Sequence, residues 1–169
     1  MKMVIYLLVA LVFSGCASMN DSLTPSMSVV KDDFDGSIIV RQAPVSAASS
    51  MSEGWHTLGF EWNQKTPDII YITAGTNGTV NITDVEFNAD GNIISNIKTA
   101  STLTEYGKWS TRRFSMSWND FLKITNAKSV KMKVVQINDY TVSSFGPENS
   151  GAIVNTKIPP FLKKVQELR

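Results

Sequence analysis

Thiol chemistry is almost absent from this sequence, which holds a single cysteine, Cys16, in 169 residues. No disulfide can close within the chain, and a zinc site built on several Cys or His ligands has nothing to draw on. Histidine is equally scarce, with His56 alone. Nucleophilic catalysis needs an activated hydroxyl or thiol beside a base, and no Gly-x-Ser-x-Gly is present. Glycine-rich phosphate loops are missing too; Gly75-Thr76-Asn77-Gly78 is turn chemistry. Neither sign of charge prevails, with 16 Lys and Arg against 15 Asp and Glu. There is thus no basic surplus for nucleic acid and no acidic surplus for cationic partners. No apolar run approaches the roughly 20 residues that a helix needs to cross a bilayer.

A shorter apolar run is present. After Met1-Lys2-Met3 comes Val4 to Phe13, ten unbroken apolar residues, and then the small residues Ser14-Gly15-Cys16-Ala17-Ser18. A positive start, a short apolar stretch and small residues at a cut site form a secretory signal peptide. Phe13-Ser14-Gly15-Cys16 resembles the lipobox of bacterial lipoproteins, with Phe13 where Leu is usual. The resemblance covers residues 1 to about 18 and implies no fold for the rest. It implies cleavage before Cys16 and a diacylglyceryl and acyl lipid on that cysteine. Each buried CH₂ contributes about 0.8 kcal/mol, so two or three acyl chains anchor effectively permanently. It also implies, from the absence of Asp after Cys16, export to the periplasmic face of an outer membrane where the organism has one.

Removal of residues 1–15 from the 169 leaves 154, enough for one domain with a sizeable core. Lys2 leaves with the signal, so Lys and Arg fall to 15 and balance the 15 acids. The expected organisation is a signal peptide over 1–15, a lipidated N-terminus and flexible tether over 16–27, and one β-rich globular domain over 28–169. Ala43 to Ser52, small and polar, reads as a long surface loop.

Most of the rest alternates as strands do. Leu58, Phe60 and Trp62 share one face of a strand from His56 to Trp62. Asp68 to Thr73 is apolar on both faces, as in a central strand. Thr79 to Phe87 changes phase between Ile82 and Val85, which predicts a bulge at Thr83-Asp84. Asn88 to Asn92 contains Asp-Gly and predicts a hairpin into a strand over Ile93–Lys98. Ser110–Ser115 is a further strand. Ser117 reads as the N-cap of a short helix to about Asn126, with Trp118, Phe121, Leu122 and Thr125 inward. Ser129–Gln136 has the pattern of an edge strand, and Tyr140–Phe145 and Ala152–Thr156 follow as strands. Pro159-Pro160 should open a last helix with Phe161, Leu162, Val165 and Leu168 inward. The fold class is therefore mainly β (α+β), an antiparallel β-sandwich or curved sheet with two short helices. An antiparallel barrel is the alternative.

Few residues carry candidate chemistry. His56 has the parity of a buried face, which suits a core-edge histidine better than a base. Lys31 to Gly36 is rich in Asp, but aligned on its glycine an EF-hand would find Lys31 and Gln42 where it needs Asp and Glu. It reads as a tight turn. Asp84 and Glu86 share a strand face as solvated charges. No metal and no cofactor are implied. The four tryptophans divide: Trp62 and Trp118 fall on core faces, whereas Trp55 has the opposite parity and Trp109 follows the loop Tyr106-Gly107-Lys108. Exposed aromatics bind sugars, peptides or partner proteins, so Trp55, Trp109 and Tyr106 are the candidate binding residues. The expected protein is a non-enzymatic interaction module tethered to the envelope, with an envelope protein or glycan as partner. The alternatives are an accessory enzyme acting on an envelope polymer and a carrier of small apolar ligands.

Overall fold

The computed structural model describes residues 24–169. The signal peptide, the lipobox with Cys16 and the first part of the expected tether lie outside them. Eleven strands and two α-helices make up the described chain. The larger sheet runs in the order β1 (Ser28–Lys31), β2 (Ile38–Ser46), β3 (His56–Asn63), β4 (Ile69–Asn77), β9 (Trp109–Ser117). The two-residue strands β7 (Lys98–Thr99) and β8 (Glu105–Tyr106) both pair with the far side of β9. The smaller sheet runs β11 (Tyr140–Phe145), β10 (Val130–Gln136), β5 (Ile82–Ala89), β6 (Asn92–Ile94). Every pairing is antiparallel. The fold is the expected α+β arrangement of curled antiparallel sheets, and its hydrogen bonding divides between two sheets rather than closing one barrel.

The core follows strand parity. Leu58, Phe60 and Trp62 of β3, Ile70, Ile72 and Ala74 of β4, and Phe114 and Met116 of β9 are buried. From the smaller sheet come Val85 and Phe87 of β5, Val130, Met132 and Val134 of β10, and Phe145 of β11. The bulge lies where the phase change places it. Val135 faces Asp84 but Gln136 faces Ile82, so Thr83 is the extra residue and Ile82 and Val85 both reach the core. The Asp90-Gly91 turn has φ of 49° and 91° at its two residues, as a two-residue hairpin requires. The Asp90 carboxylate also accepts from the Lys128 and Ser129 amides, at 3.0 and 2.9 Å, and ties the turn to the start of β10.

Helix α1 (Trp118–Asn126) begins at Ser117, whose Oγ accepts from the Asp120 amide at 3.0 Å. Its buried residues are Trp118, Phe121 and Ile124; Leu122 packs against the core as expected, and Ile124 takes the inward place expected of Thr125.

Several expectations fail for physical reasons. Ala152–Thr156 is not a strand: helix α2 (Val154–Leu168) already begins at Val154 and carries Pro159 and Pro160 in its interior. Val154, Ile158, Phe161 and Val165 are buried at helical spacing. The turn ahead of the prolines closes through short bonds, Asn155 N–H to the Ala152 carbonyl and Thr156 N–H to the Ile153 carbonyl. With 15 residues, α2 is also longer than expected. Ala43–Ser46 belongs to β2, with a bulge between Gln42 and Val45, and Ala47 and Ala48 are buried rather than looped over the surface. Strand β10 is interior, between β5 and β11; its alternating lysines report one wet face, not an edge. β4 is central as expected but has one wet face, where Tyr71 is half-buried. Ile93–Lys98 does not stay in one sheet. β6 pairs with β5, and the chain then crosses to place β7 beside β9.

At the N-terminal end, the Pro25 carbonyl accepts from Gln42 Nε2 at 3.0 Å, and Met27 packs against the core. Among the described residues no helix is long and apolar enough to cross a membrane.

Candidate functional site

Two indoles stand at one end of the larger sheet, on the face turned away from the core. Trp55 immediately precedes β3, and its carbonyl accepts from the Asn77 amide at 3.2 Å. Asn77 in turn lies opposite Trp109, the first residue of β9. The two rings reach over that position and meet at 5.9 Å between centroids, tilted by 44°. Trp55 is 49 % exposed and Trp109 half-buried. Lys108 Nζ lies 5.9 Å from the centre of the Trp109 ring.

Tyr106 stands apart from this pair. Residues 105–106 form β8 rather than a loop, and Tyr106 faces Ser110, whose parity is that of the core. Tyr106 is exposed but makes no ring contact with either indole. Trp62 and Trp118 are buried, as their parity requires.

Farther along the same outer face, Glu61 is held by two arginines. Arg41 Nε donates to Glu61 Oε2 at 2.6 Å, and Arg113 Nη2 donates to Glu61 Oε1. The Arg113 guanidinium lies over the Tyr71 ring at 4.3 Å. Between this cluster and the indoles are Thr57, Gly75 and Thr111 in one cross-strand row. A Cβ on Gly75 would come nearer than 3.0 Å to both threonine side chains, so this row is low and closely packed.

His56 lies behind the indoles, on the core side. It is 2 % exposed, and its Nε2 shares a hydrogen bond of 2.8 Å with Thr141 Oγ1 of the smaller sheet. Nδ1 meets no partner at hydrogen-bonding geometry. Burial lowers the pKa of the ring from 6.5, opposed by the Glu53 carboxylate and backbone carbonyl. Glu53, on a short 3₁₀ turn, accepts from the Ser49 amide and hydroxyl at 2.9 Å each and from the Ser144 amide at 3.2 Å. Burial pushes its pKa up, but the bonds from Ser144 and Ser49 outweigh that and hold it below 4.5. The cluster is a buried polar link between sheets, and His56 lines none of the cavities described below. A nucleophile would need a base within reach and substrate access beside it.

His56 gives this link a pH signature. Its folded pKa lies below its unfolded value, so at pH above 6.5 both states are neutral and stability is fully present. As pH falls below 6.5 the unfolded chain takes up a proton that the folded ring resists, and stability declines until the folded pKa is passed. Glu53, Asp90 and Asp120 also have lowered values, but start from 4.5, 3.8 and 3.8 and act only at lower pH. Denaturant melts between pH 6.5 and 4.5 should therefore show a loss of stability that His56→Gln removes. An unchanged slope in the variant would mean that the acid sensitivity lies elsewhere.

Several other acids have structural work. In the Asp32–Ser37 turn, the Asp32 and Asp35 carboxylates accept from the Phe34 and Ser37 amides at 2.8 Å each. Lys65 and Ser37 pull the Asp35 pKa down to about 2. Asp84 accepts from the Val85 amide, and Glu86 pairs with Lys133 at 3.0 Å. Among the described residues no three His, Cys, Asp or Glu are grouped to hold a metal ion. An apolar cleft of about 280 Å³ opens between α1, β11 and α2, lined by Ile124, Phe145 and Ile158. That is at the small end for a ligand pocket. A wider cleft of about 610 Å³ beside β6 is lined mainly by polar residues.

Parity singled out Trp55, and position after a turn singled out Trp109. Their mutual contact depends on the β3–β4–β9 register, which local pattern does not encode. Arg41, Glu61, Arg113 and Tyr71 carry no signal in local pattern for the same reason: each is an ordinary surface residue until the register aligns them. No protein-family model, no curated protein and no solved structure matches the chain.

Proposed function

We propose that the protein is a lipid-anchored envelope lipoprotein whose β-rich domain is a non-enzymatic interaction module. Lipid on Cys16 would hold it to the outer membrane, with the domain facing the periplasm. The observation that carries the binding role is the Trp55–Trp109 pair, part-exposed on a sheet face that contributes nothing to the core. Large, rigid aromatic rings of this kind supply contact area at low conformational cost and dominate binding energy at interfaces. The anchor rests on the lipobox residues Phe13 to Cys16. The enzymatic alternative is weaker, because His56 and Glu53 are occupied in joining the two sheets.

Complementation of a deletion strain tests both halves. Cys16→Ser should take up no palmitate label and should fail to complement. Trp55→Ala/Trp109→Ala should keep its label and its abundance yet also fail. His56→Gln, at equal abundance, should complement. Detergent but not high salt should release the wild-type protein, since a balanced domain offers no net charge to screen. Loss of function in His56→Gln at normal abundance would bring the enzymatic reading forward. Wild-type protein without lipid would remove the anchor.

A further inference from the structure

The outer face of the larger sheet continues beyond the indoles in rows two residues apart. From the Trp55–Asn77–Trp109 row the face passes to Thr57–Gly75–Thr111, then to Thr73–Arg113, then to Glu61–Tyr71. At about 3.3 Å per residue, the first and last rows are roughly 20 Å apart. One end is aromatic, the middle is low and rich in hydroxyls, and the other end has Arg113 stacked on Tyr71.

We infer that this face, from the Trp55–Trp109 pair to Tyr71, binds a neutral, β-linked pyranose chain. The inference rests on the interaction-module reading above and names its ligand class.

Three observations select this occupant. First, the charges at the far end engage one another, two guanidiniums sharing one carboxylate and leaving a single net positive charge. Glu61 takes both Arg41 and Arg113, so no bare cation at the centre of the face awaits a phosphate or a polyanionic chain. The lysines of this face stand at its rim, Lys108 beside Trp109 and Lys98 of β7 opposite Ser115. Second, β4 is paired on both sides, with β3 and β9, so no free backbone edge is offered to an extended peptide adding itself as a strand. Third, the face is not apolar throughout. Beyond the indoles it presents threonines and paired charges, which a hydrophobic protein surface would leave without partners.

A pyranose ring matches this mixture. Its axial C–H bonds form a weakly positive face that lies against the negative face of an indole. Its equatorial hydroxyls both donate and accept, which suits the hydroxyls of Thr73 and Thr111, the accepting carboxylate of Glu61 and the donating guanidinium of Arg113. A β-linked chain is extended, so successive rings can follow the strand direction from row to row.

The test uses the full chain in detergent, with the hexamer of β-1,4-linked N-acetylglucosamine as probe. Trp62 and Trp118 are buried, so a ligand on this face alters the emission of Trp55 and Trp109. The hexamer should give a saturable blue shift, and the dimer should bind more weakly because it reaches fewer rows. Trp55→Ala and Trp109→Ala should each weaken binding about tenfold. Trp109→Phe, which retains an aromatic face, should recover part of it. Unchanged thermal unfolding in Trp55→Ala will separate lost contact from lost fold.

No saturable change with the hexamer, or equal binding by wild type and both alanine variants, overturns the glycan assignment. If the tryptophan variants nonetheless fail to complement, the interaction module stands and its partner is a protein. If they do complement, the module reading falls as well. Tighter binding of polygalacturonate than of the neutral hexamer also overturns the assignment, in favour of an anionic chain.

Discussion

Phe161→Ala should lower the free energy of unfolding by about 3–5 kcal/mol, a large share of the 5–15 kcal/mol typical of a domain. The ring is fully buried on α2. It meets Phe60 of β3 at 5.3 Å and Phe121 of α1 at 5.9 Å, and those two meet each other at 5.5 Å. Three elements thus converge on one aromatic cluster, with interplanar angles of 51° to 80° that suit edge-to-face attraction. Removing one ring leaves a cavity that the two remaining rings, fixed on β3 and α1, cannot fill. Because the cavities would merge, Phe121→Ala and Phe161→Ala should not add. Phe34→Ala, at a side chain 95 % exposed, is the control and should change almost nothing. Ending the chain at Pro159 removes both Phe161 and Val165, so thermal stability as high as that of the whole chain would refute the packing of α2.

The second large effect is expected at Gly151. A Cβ there would lie nearer than 3.0 Å to the Ser49 carbonyl oxygen, which is backbone and cannot swing aside as a side chain could. Both partners are fixed. Ser49 holds the Glu53 carboxylate through its amide and its hydroxyl, and follows the buried Ala47 and Ala48; Ala152 beside the glycine is buried too. Gly151→Ala should therefore reach the upper end of the overpacking range, about 3 kcal/mol. Gly78 separates crowding from backbone conformation. It has φ of 83° and nothing within 4 Å of a Cβ, so Gly78→Ala should cost only about 1 kcal/mol. Equal losses in the two variants, measured by denaturant titration, would show that the Ser49 approach relaxes freely.

The sequence was most legible where a local signal has a local cause. Ser117 caps α1 through its own hydroxyl, Asp90-Gly91 turns the hairpin because both residues accept positive φ, and the Thr83 bulge follows from one break in alternation. It was least legible where tertiary packing overrides composition. Ala47 and Ala48 look like linker residues, but they are buried, next to Ser49 whose carbonyl closely faces Gly151. Pro159 and Pro160 look like a helix start, but the burial of Val154 and Ile158 carries the helix back past them. At the candidate site, strand parity separated Trp55 from the core residues of β3. It did not distinguish Tyr106 from Trp109, because the short β8 pairing that turns Tyr106 toward the other face is visible only in the register.

Helix α2 follows β3 by about 90 residues yet closes the core that β3 begins. Arg169 reaches back 101 residues to Asp68 and also covers the Trp118 ring at 4.8 Å. A chain emerging N-terminus first can thus pair β2, β3 and β4 early, but it cannot seal Phe60 until α2 has followed about 100 residues later. Such sequence-distant closure delays folding relative to local contacts.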